Sequence, residues 1–326
     1  MPRDVHRQGQ PTTAAFEEVT EGAKYQLYPD RAIGQRLTDY EKRHRLYKGQ
    51  DIVITGIATG IDGLDGVTMG VQPTDLWVVQ GRTGIGKTYF VCQLAAHMRS
   101  LGHNVLFINR EMDPEHVMGR IDALSAHFSF AHWRAGQLTP QEYGRYKQLQ
   151  RALLKTKGRI DIVPPIKFLS VRTINTILLR YPAHIVIVDY INRLQSEHGV
   201  DNAKTFAVLA ELADGLKDIA YRKHIPVIAV AQTNRSQLAQ KAEIAGTEHI
   251  YGGDALGWNA DLVLSMFRRK KMLELRQMGL QMVKYRHGEE LEIVLSWKLN
   301  EGVIAVHSIN DKPLEDLTTD TDALPQ

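Results

Sequence analysis

One stretch of this sequence has the spacing of a phosphate-binding loop. Gly81-Arg82-Thr83-Gly84-Ile85-Gly86-Lys87-Thr88 fits G-x-x-x-x-G-K-[ST] at every fixed position. Glycines let such a backbone turn tightly and aim its amide N–H groups at phosphate oxygens. The lysine reaches the terminal phosphates as a point charge, and the hydroxyl that follows it ligates Mg²⁺. The pattern carries weight only between a strand and a helix. Residues 75–80 (DLWVVQ) read as a buried strand, and Phe90, Leu94 and Met98 share one helical face, so the loop has that setting. Residues 81–88 are the expected phosphate cradle, with Thr88 as a metal ligand.

Three more side chains could complete the chemistry. Asp189 ends the apolar run IVIVD. At the carboxyl end of a buried strand it would face the cradle and hold the metal; the plainer reading is an acid capping a turn. Glu111 stands three residues past the run 104–108, just before Asp113-Pro114-Glu115, a helix start with an N-cap, a first-position proline and a first-turn acid. A carboxylate there can take a proton from an attacking water. Its plainer reading is a solvated acid favoured by the helix dipole. Gln232 follows the run 226–231, and its amide can read a γ-phosphate; a polar strand-end residue with no role is the alternative.

These residues need a scaffold that brings strand ends together. The runs 75–80, 104–108, 184–188 and 226–231 are short and rich in Val and Ile, the habit of strands buried on both faces of a parallel sheet. Helical faces lie between them: Val117, Ile121 and Leu124, then Leu209, Leu212, Leu216 and Ile219. Strand–helix alternation of this kind predicts a doubly wound α/β fold with a mostly parallel sheet. Residues 261–267, 280–287, 291–297 and 302–308 read as strands joined by short turns, expected as antiparallel additions to one sheet edge. Ahead of all this, residues 1–50 form a polar arm. Ile33, Leu37, Tyr40 and Tyr47 predict a helix over 31–46, with Pro29 and Asp30 as its start signal and Gly49 as its stop. The division is an arm (1–50), one α/β domain (51–310) and an acidic tail (311–326) expected to be disordered.

Composition narrows the class. Hydrophobic residues make up 43% and charged residues 24%, ordinary for a globular protein. No apolar run nears the ~20 residues needed to span a bilayer, and no secretory h-region is visible. Cys92 is the single cysteine, which excludes a disulfide or a cysteine-based zinc site within one chain and makes a reducing cytoplasm the expected location. Its place beside Phe90 and Leu94 reads as packing. The net charge of +3 permits a polyanionic partner without requiring one.

The motifs in order resemble the motor of DnaB-type replicative helicases, which are RecA-like ATPases. Thr59-Gly60-Ile61-Asp62-Gly63-Leu64-Asp65 and Gly70-Val71-Gln72-Pro73 are similar to its opening. Arg110-Glu111-Met112 stands where the family has Leu-Glu-Met, whose glutamate is the catalytic base. Val188-Asp189-Tyr190-Ile191-Asn192-Arg193-Leu194 is similar to the family's IDYLQL, and Ala231-Gln232-Thr233-Asn234-Arg235 to its SQLNR. Lys284-Tyr285-Arg286-His287-Gly288 matches its K-x-R-N-G, with His287 for Asn. The resemblance spans residues 51 to about 308.

It implies ATP and Mg²⁺ as ligands, single-stranded DNA as partner, a hexameric ring of identical chains, and 5′-to-3′ unwinding. It makes Lys284 and Arg286 a lysine and arginine finger reaching the neighbour's nucleotide. A primase or helicase loader is the further partner it suggests. DNA would be held by residues 195–205 and 234–254, including Arg235 and Lys241, with Arg268–Lys271 as a second basic cluster. Tyr251-Gly252-Gly253-Asp254-Ala255-Leu256 is similar to a run beside the second DNA loop of RecA strand-exchange proteins, which adds Gly252 and Gly253 to the DNA candidates and keeps a recombinase-like filament open as an alternative. A regulatory ring ATPase is another. The arm of about 50 residues is too short for the family's separate N-terminal domain; only its linker helix, which packs on the neighbouring motor, could remain, an arrangement suited to a phage or plasmid protein.

Overall fold

The computed structural model describes residues 33–50, 52–196, 206–232, 255–310 and 312–313. It divides into two units, residues 1–51 and 52–326. In the first, helix α1 (Ile33–Tyr47) carries an i,i+4 hydrogen bond from Gln35 to Asp39 at 2.9 Å and a stacked Tyr40–His44 pair.

The second unit opens with α2 (Asp62–Thr68) and continues β1 (Leu76–Gly81), α3 (Lys87–Ser100), β2 (Val105–Asn109), α4 (Pro114–Ala126), α5 (Phe130–Arg134), α6 (Pro140–Leu153), β3 (Ile160–Val163), α7 (Val171–Arg180), β4 (Ile185–Asp189), a 3₁₀ turn (Ile191–Arg193), α8 (Phe206–Lys223) and β5 (Val227–Gln232). Then come α9 (Ala255–Asn259), β6 (Leu262–Phe267), α10 (Lys270–Glu274), β7 (Gln277–Tyr285), β8 (Glu292–Lys298), β9 (Val303–Ile309) and β10 (Lys312–Pro313). Among the described residues they form one ten-stranded sheet in the order β10-β9-β8-β7-β6-β1-β5-β4-β2-β3.

Strands β3, β2, β4, β5, β1 and β6 run parallel. Apart from the half-buried edge strand β3, their apolar runs are buried on both faces, because alternate side chains enter two cores. Trp77, Val79, Ile185 and Ile187 pack with α3 and α4 on one face; Leu76, Val78, Val186 and Val188 pack with α7 and α8 on the other. This is the doubly wound arrangement expected. The expected antiparallel extension is present as β7 to β10. One expectation needs correction: residues 261–267 do not begin that extension. β6 pairs parallel to β1, with Trp77 opposite Leu262, and the reversal comes only at β7. Cys92 is fully buried, and burial pushes its thiol well above the ordinary range, as suits a packing residue.

Candidate nucleotide site and a distant cation pair

The phosphate-binding motif joins β1 to α3. Gly84 and Gly86 have φ of 79° and 113°, left-handed values that favour glycine. A Cβ on Gly86 would also lie 2.7 Å from the Trp297 ring. Lys87 is buried and donates to the carbonyls of Gly81 and Arg82 at 2.8 and 2.9 Å. Burial pushes its pKa down to about 8, against the pull of Asp189 and Glu111. Asp189, at the end of β4, is also buried, and burial raises its pKa; a hydrogen bond from Thr88 and the charge of Lys87 oppose that rise. A desolvated carboxylate beside a hydroxyl, both oxygen donors, is a pair that fits a hard divalent cation.

The strand order brings the other candidates to the same place. Gly81 pairs with Gln232, and Asn109 pairs with Asp189. Gln232 is held by its backbone N–H, which donates to Asn192 Oδ1 at 3.1 Å. Glu111 is exposed, on a turn fixed by Asn109: Asn109 Oδ1 accepts from the N–H groups of Glu111 and Met112, and Asn109 Nδ2 donates to Met112 O. Thr83, Lys87, Thr88, Glu111, Asp189 and Gln232 all line one cleft of about 210 Å³.

Sequence reasoning missed Arg120, which lines the same cleft. Its guanidinium lies 4.8 Å from the Tyr89 ring centroid and 5.2 Å from that of Phe130, and its buried Nε has no hydrogen-bond partner. The signal was present. Arg120 sits at i+3 on the stripe Val117, Ile121, Leu124, where a cation on a core-facing position is out of pattern. A second cleft of about 330 Å³ continues past Gly84 and Gly86, between Arg268, Leu273 and Trp297. Arg268, read from sequence as part of a basic cluster for DNA, lines this cleft with a buried, unpartnered Nε.

Lys284 and Arg286 are elsewhere. β7 runs antiparallel to β6, so its end lies at the start of β6, with Val263 opposite Lys284. Lys284 donates to the carbonyls of Gly257 and Trp258. Arg286 donates to Trp258 O at 2.7 Å and pairs with Asp261 at 3.2 Å. Asp261 in turn accepts from the N–H of Leu76, the first residue of β1. The cradle begins at the last residue of β1. Six residues of strand, roughly 17 Å, separate the cations from it. Arg235, Lys241, Gly252 and Gly253 lie outside the described residues, as does most of 195–205.

Fold and site together define a RecA-like α/β domain, with a strand-loop-helix cradle, a carboxylate at the end of β4 and a second on the turn after β2. The chain belongs to the DnaB-like helicase C terminal domain family, which it matches over residues 56–302. It is 26% identical over 221 residues to the replicative DNA helicase DnaB of Geobacillus stearothermophilus, covering 67% of this chain and 48% of that protein. For the replicative DNA helicase DnaB of Buchnera aphidicola subsp. Schizaphis graminum the identity is 28% over 243 residues, 73% of this chain and 51% of that one. The chain thus spans about half the length of the curated relatives it matches. In fold it is similar to a solved ATPase domain, with a TM-score of 0.74 at 18% identity, covering 85% of this chain and 99% of that one. It is likewise similar to a DnaB-like replicative helicase whose structure was described with its interactions with primase, with a TM-score of 0.73 at 18% identity, covering 90% of this chain and 70% of that one. Among the described residues no helix is long and apolar enough to cross a membrane.

Proposed function

We propose that this chain is the ATP-hydrolysing motor of a ring-forming DNA helicase that moves on single-stranded DNA and unwinds duplex 5′-to-3′. What carries the reading is the separation of charge along the sheet. The cradle, Asp189, Glu111 and Gln232 share one cleft, whereas Lys284 and Arg286 are rooted at the opposite strand ends. A cation pair so placed serves a nucleotide on another copy, which makes hydrolysis a property of an assembly and fits a hexameric ring.

Within one site, the backbone N–H groups of residues 82–88 and the Lys87 ammonium receive the β- and γ-phosphates. Thr88 and Asp189 would hold Mg²⁺, which would supply positive charge to neutralise the phosphates. Glu111 takes the proton from the attacking water. Gln232 reads the γ-phosphate and, through Asn192, is tied to the turn after Asp189. Arg120 adds a cation from the same chain, and the neighbour's Arg286 completes the charge balance at the far side. The second cleft takes the nucleoside, with Trp297 and Arg268 as its flat walls. Arg235, Lys241, Gly252 and Gly253 grip DNA phosphates without reading sequence. A primase or a loader is a further partner, a reading supported by the primase named with one structural neighbour.

Forked duplexes with a 5′ or a 3′ single-stranded tail test this. ATP-dependent strand displacement is expected on the fork with a 5′ tail, and none is expected from Lys87→Ala. DNA-stimulated hydrolysis with no displacement on either fork, together with filaments in electron micrographs, would replace the helicase by a recombinase-like ATPase.

A further inference from the structure

The residue before Glu111 is an arginine, and its side chain is turned inward across neighbouring strand ends. Arg110 Nε and Nη2 both donate to the carbonyl of Arg193, at 3.2 and 3.1 Å. Nη1 donates to the carbonyl of Ile166. The backbone N–H donates to the carbonyl of Asp189 at 3.0 Å. One residue thus joins three segments that are distant in sequence: the turn bearing Glu111, the 3₁₀ turn that follows Asp189, and the loop between β3 and α7. Arg193 extends the joint, since its Nε donates to the Tyr190 hydroxyl at 2.7 Å and its guanidinium lies 5.7 Å from that ring's centroid. Tyr190 itself lines the nucleotide cleft.

Glu111 needs such a joint. Its side chain is exposed, so core packing does not fix it. The β2–β4 pairing and the Arg110 N–H hold the end of β2 beside Asp189, and Asn109 shapes the turn locally, but none of these ties that turn to the 3₁₀ turn after Asp189 or to the loop before α7. A guanidinium can: it is a planar fork, always charged, and serves two carbonyls at once. A lysine would offer one mobile point donor. Leucine, the residue at this place in the family's Leu-Glu-Met motif, would offer none.

We propose that Arg110 is a positioning residue for Glu111, its guanidinium holding the turn that bears the proton-accepting carboxylate against the 3₁₀ turn after Asp189 and the loop before α7. This rests on the reading of Glu111 as the proton acceptor. Misplacing a catalytic group by about 1 Å can cost roughly a hundredfold in rate. Arg110→Ala and Arg110→Leu are expected to lower kcat at least about tenfold while affinity for ATP stays within about twofold. Arg110→Lys should recover part of the loss.

The test uses the full chain with single-stranded DNA. It measures kcat, affinity for a fluorescent non-hydrolysable ATP analogue, assembly size by light scattering, and melting temperature. Glu111→Gln and the double variant complete a cycle. If Arg110 acts through Glu111, adding Arg110→Ala to Glu111→Gln should change the residual rate by less than about twofold. Additive losses would overturn the proposal, as would a parental kcat in Arg110→Ala, or a loss traced to weaker nucleotide binding or smaller assemblies. A parental rate in Glu111→Gln alone would remove the base reading beneath it, and is read independently of every Arg110 variant.

Discussion

Lys87 keeps its charge where charge is costly. Its ammonium is buried and rests on two carbonyls of its own loop, and burial brings its pKa from 10.5 to about 8. The protonated form therefore costs the folded protein stability below about pH 8, and that cost is relieved as pH rises from the folded value towards the unfolded one. Bound phosphates act in the opposite sense, because they favour the ammonium. Nucleotide affinity should be highest below about pH 8 and fall by up to about tenfold per unit above it, with proton uptake on binding. Calorimetry at roughly pH 8.5 in two buffers of different ionisation heat measures that uptake; identical apparent enthalpies would refute it. Lys87→Ala should abolish hydrolysis with an unchanged circular dichroism spectrum. Glu111→Gln should bind nucleotide normally and turn over about 10²–10⁴-fold more slowly, since an amide cannot take the proton. Weaker binding with a normal residual rate would return Glu111 to the role of a solvated acid ahead of α4.

At the scale of elements, periodicity carried most of the fold. Strands with alternate side chains in two cores must be apolar along their length, and the four central runs are so between their end residues. Helix α4 follows its signals residue by residue, with Asp113 capping Glu115 N and Pro114 in the first turn. What escaped was weaker in the same signal. β3 is an edge strand, only half-buried, with Asp161 in its middle. α5 and α6 build a satellite core around Phe128 and Phe130 rather than packing on the sheet, although Thr139, Pro140 and Glu142 spell a capping box. In the site, the cradle motif is local and could be read from one loop. Arg120 is out of pattern on the α4 stripe, but its contact with Tyr89, 31 positions away in the chain, is one that no spacing rule reports. Gly302 shows how one position joins two elements. It has φ of 64°, and a Cβ there would lie 2.2 Å from Ala123 O and 2.7 Å from Phe128 O, where α4 ends. Gly302→Ala should cost about 1–3 kcal/mol, from strain and from parting the β8–β9 turn from α4. A urea midpoint unchanged in this variant would mean that the turn shifts freely.

For the whole molecule, the question is whether one chain is a complete enzyme. If Arg286 serves the neighbour, each active site needs an intact Lys87 on one subunit and an intact Arg286 on the next. Lys87→Ala and Arg286→Ala rings should each be inactive. Mixed in equal amounts and reassembled, they should regain about a quarter of the parental sites, the chance that a subunit with Lys87 abuts one with Arg286 in a closed, head-to-tail ring. Unmixed controls and mixtures that cannot exchange subunits should regain nothing. The linker reading of α1 adds a second requirement. Its helix carries Leu37 and Tyr40 at i,i+3 spacing, and in the proposed ring that stripe packs on the adjacent motor. Removing residues 1–48 should leave a folded, nucleotide-binding chain that light scattering finds as a monomer. Its hydrolysis should be as slow as that of Arg286→Ala, and the two variants mixed without the arm should show no recovery. Recovery without the arm would mean that motor-to-motor contacts close the ring unaided. No recovery with the arm present, in mixed rings of parental size, would mean that Arg286 stays on Asp261 of its own chain and has no neighbouring nucleotide to serve.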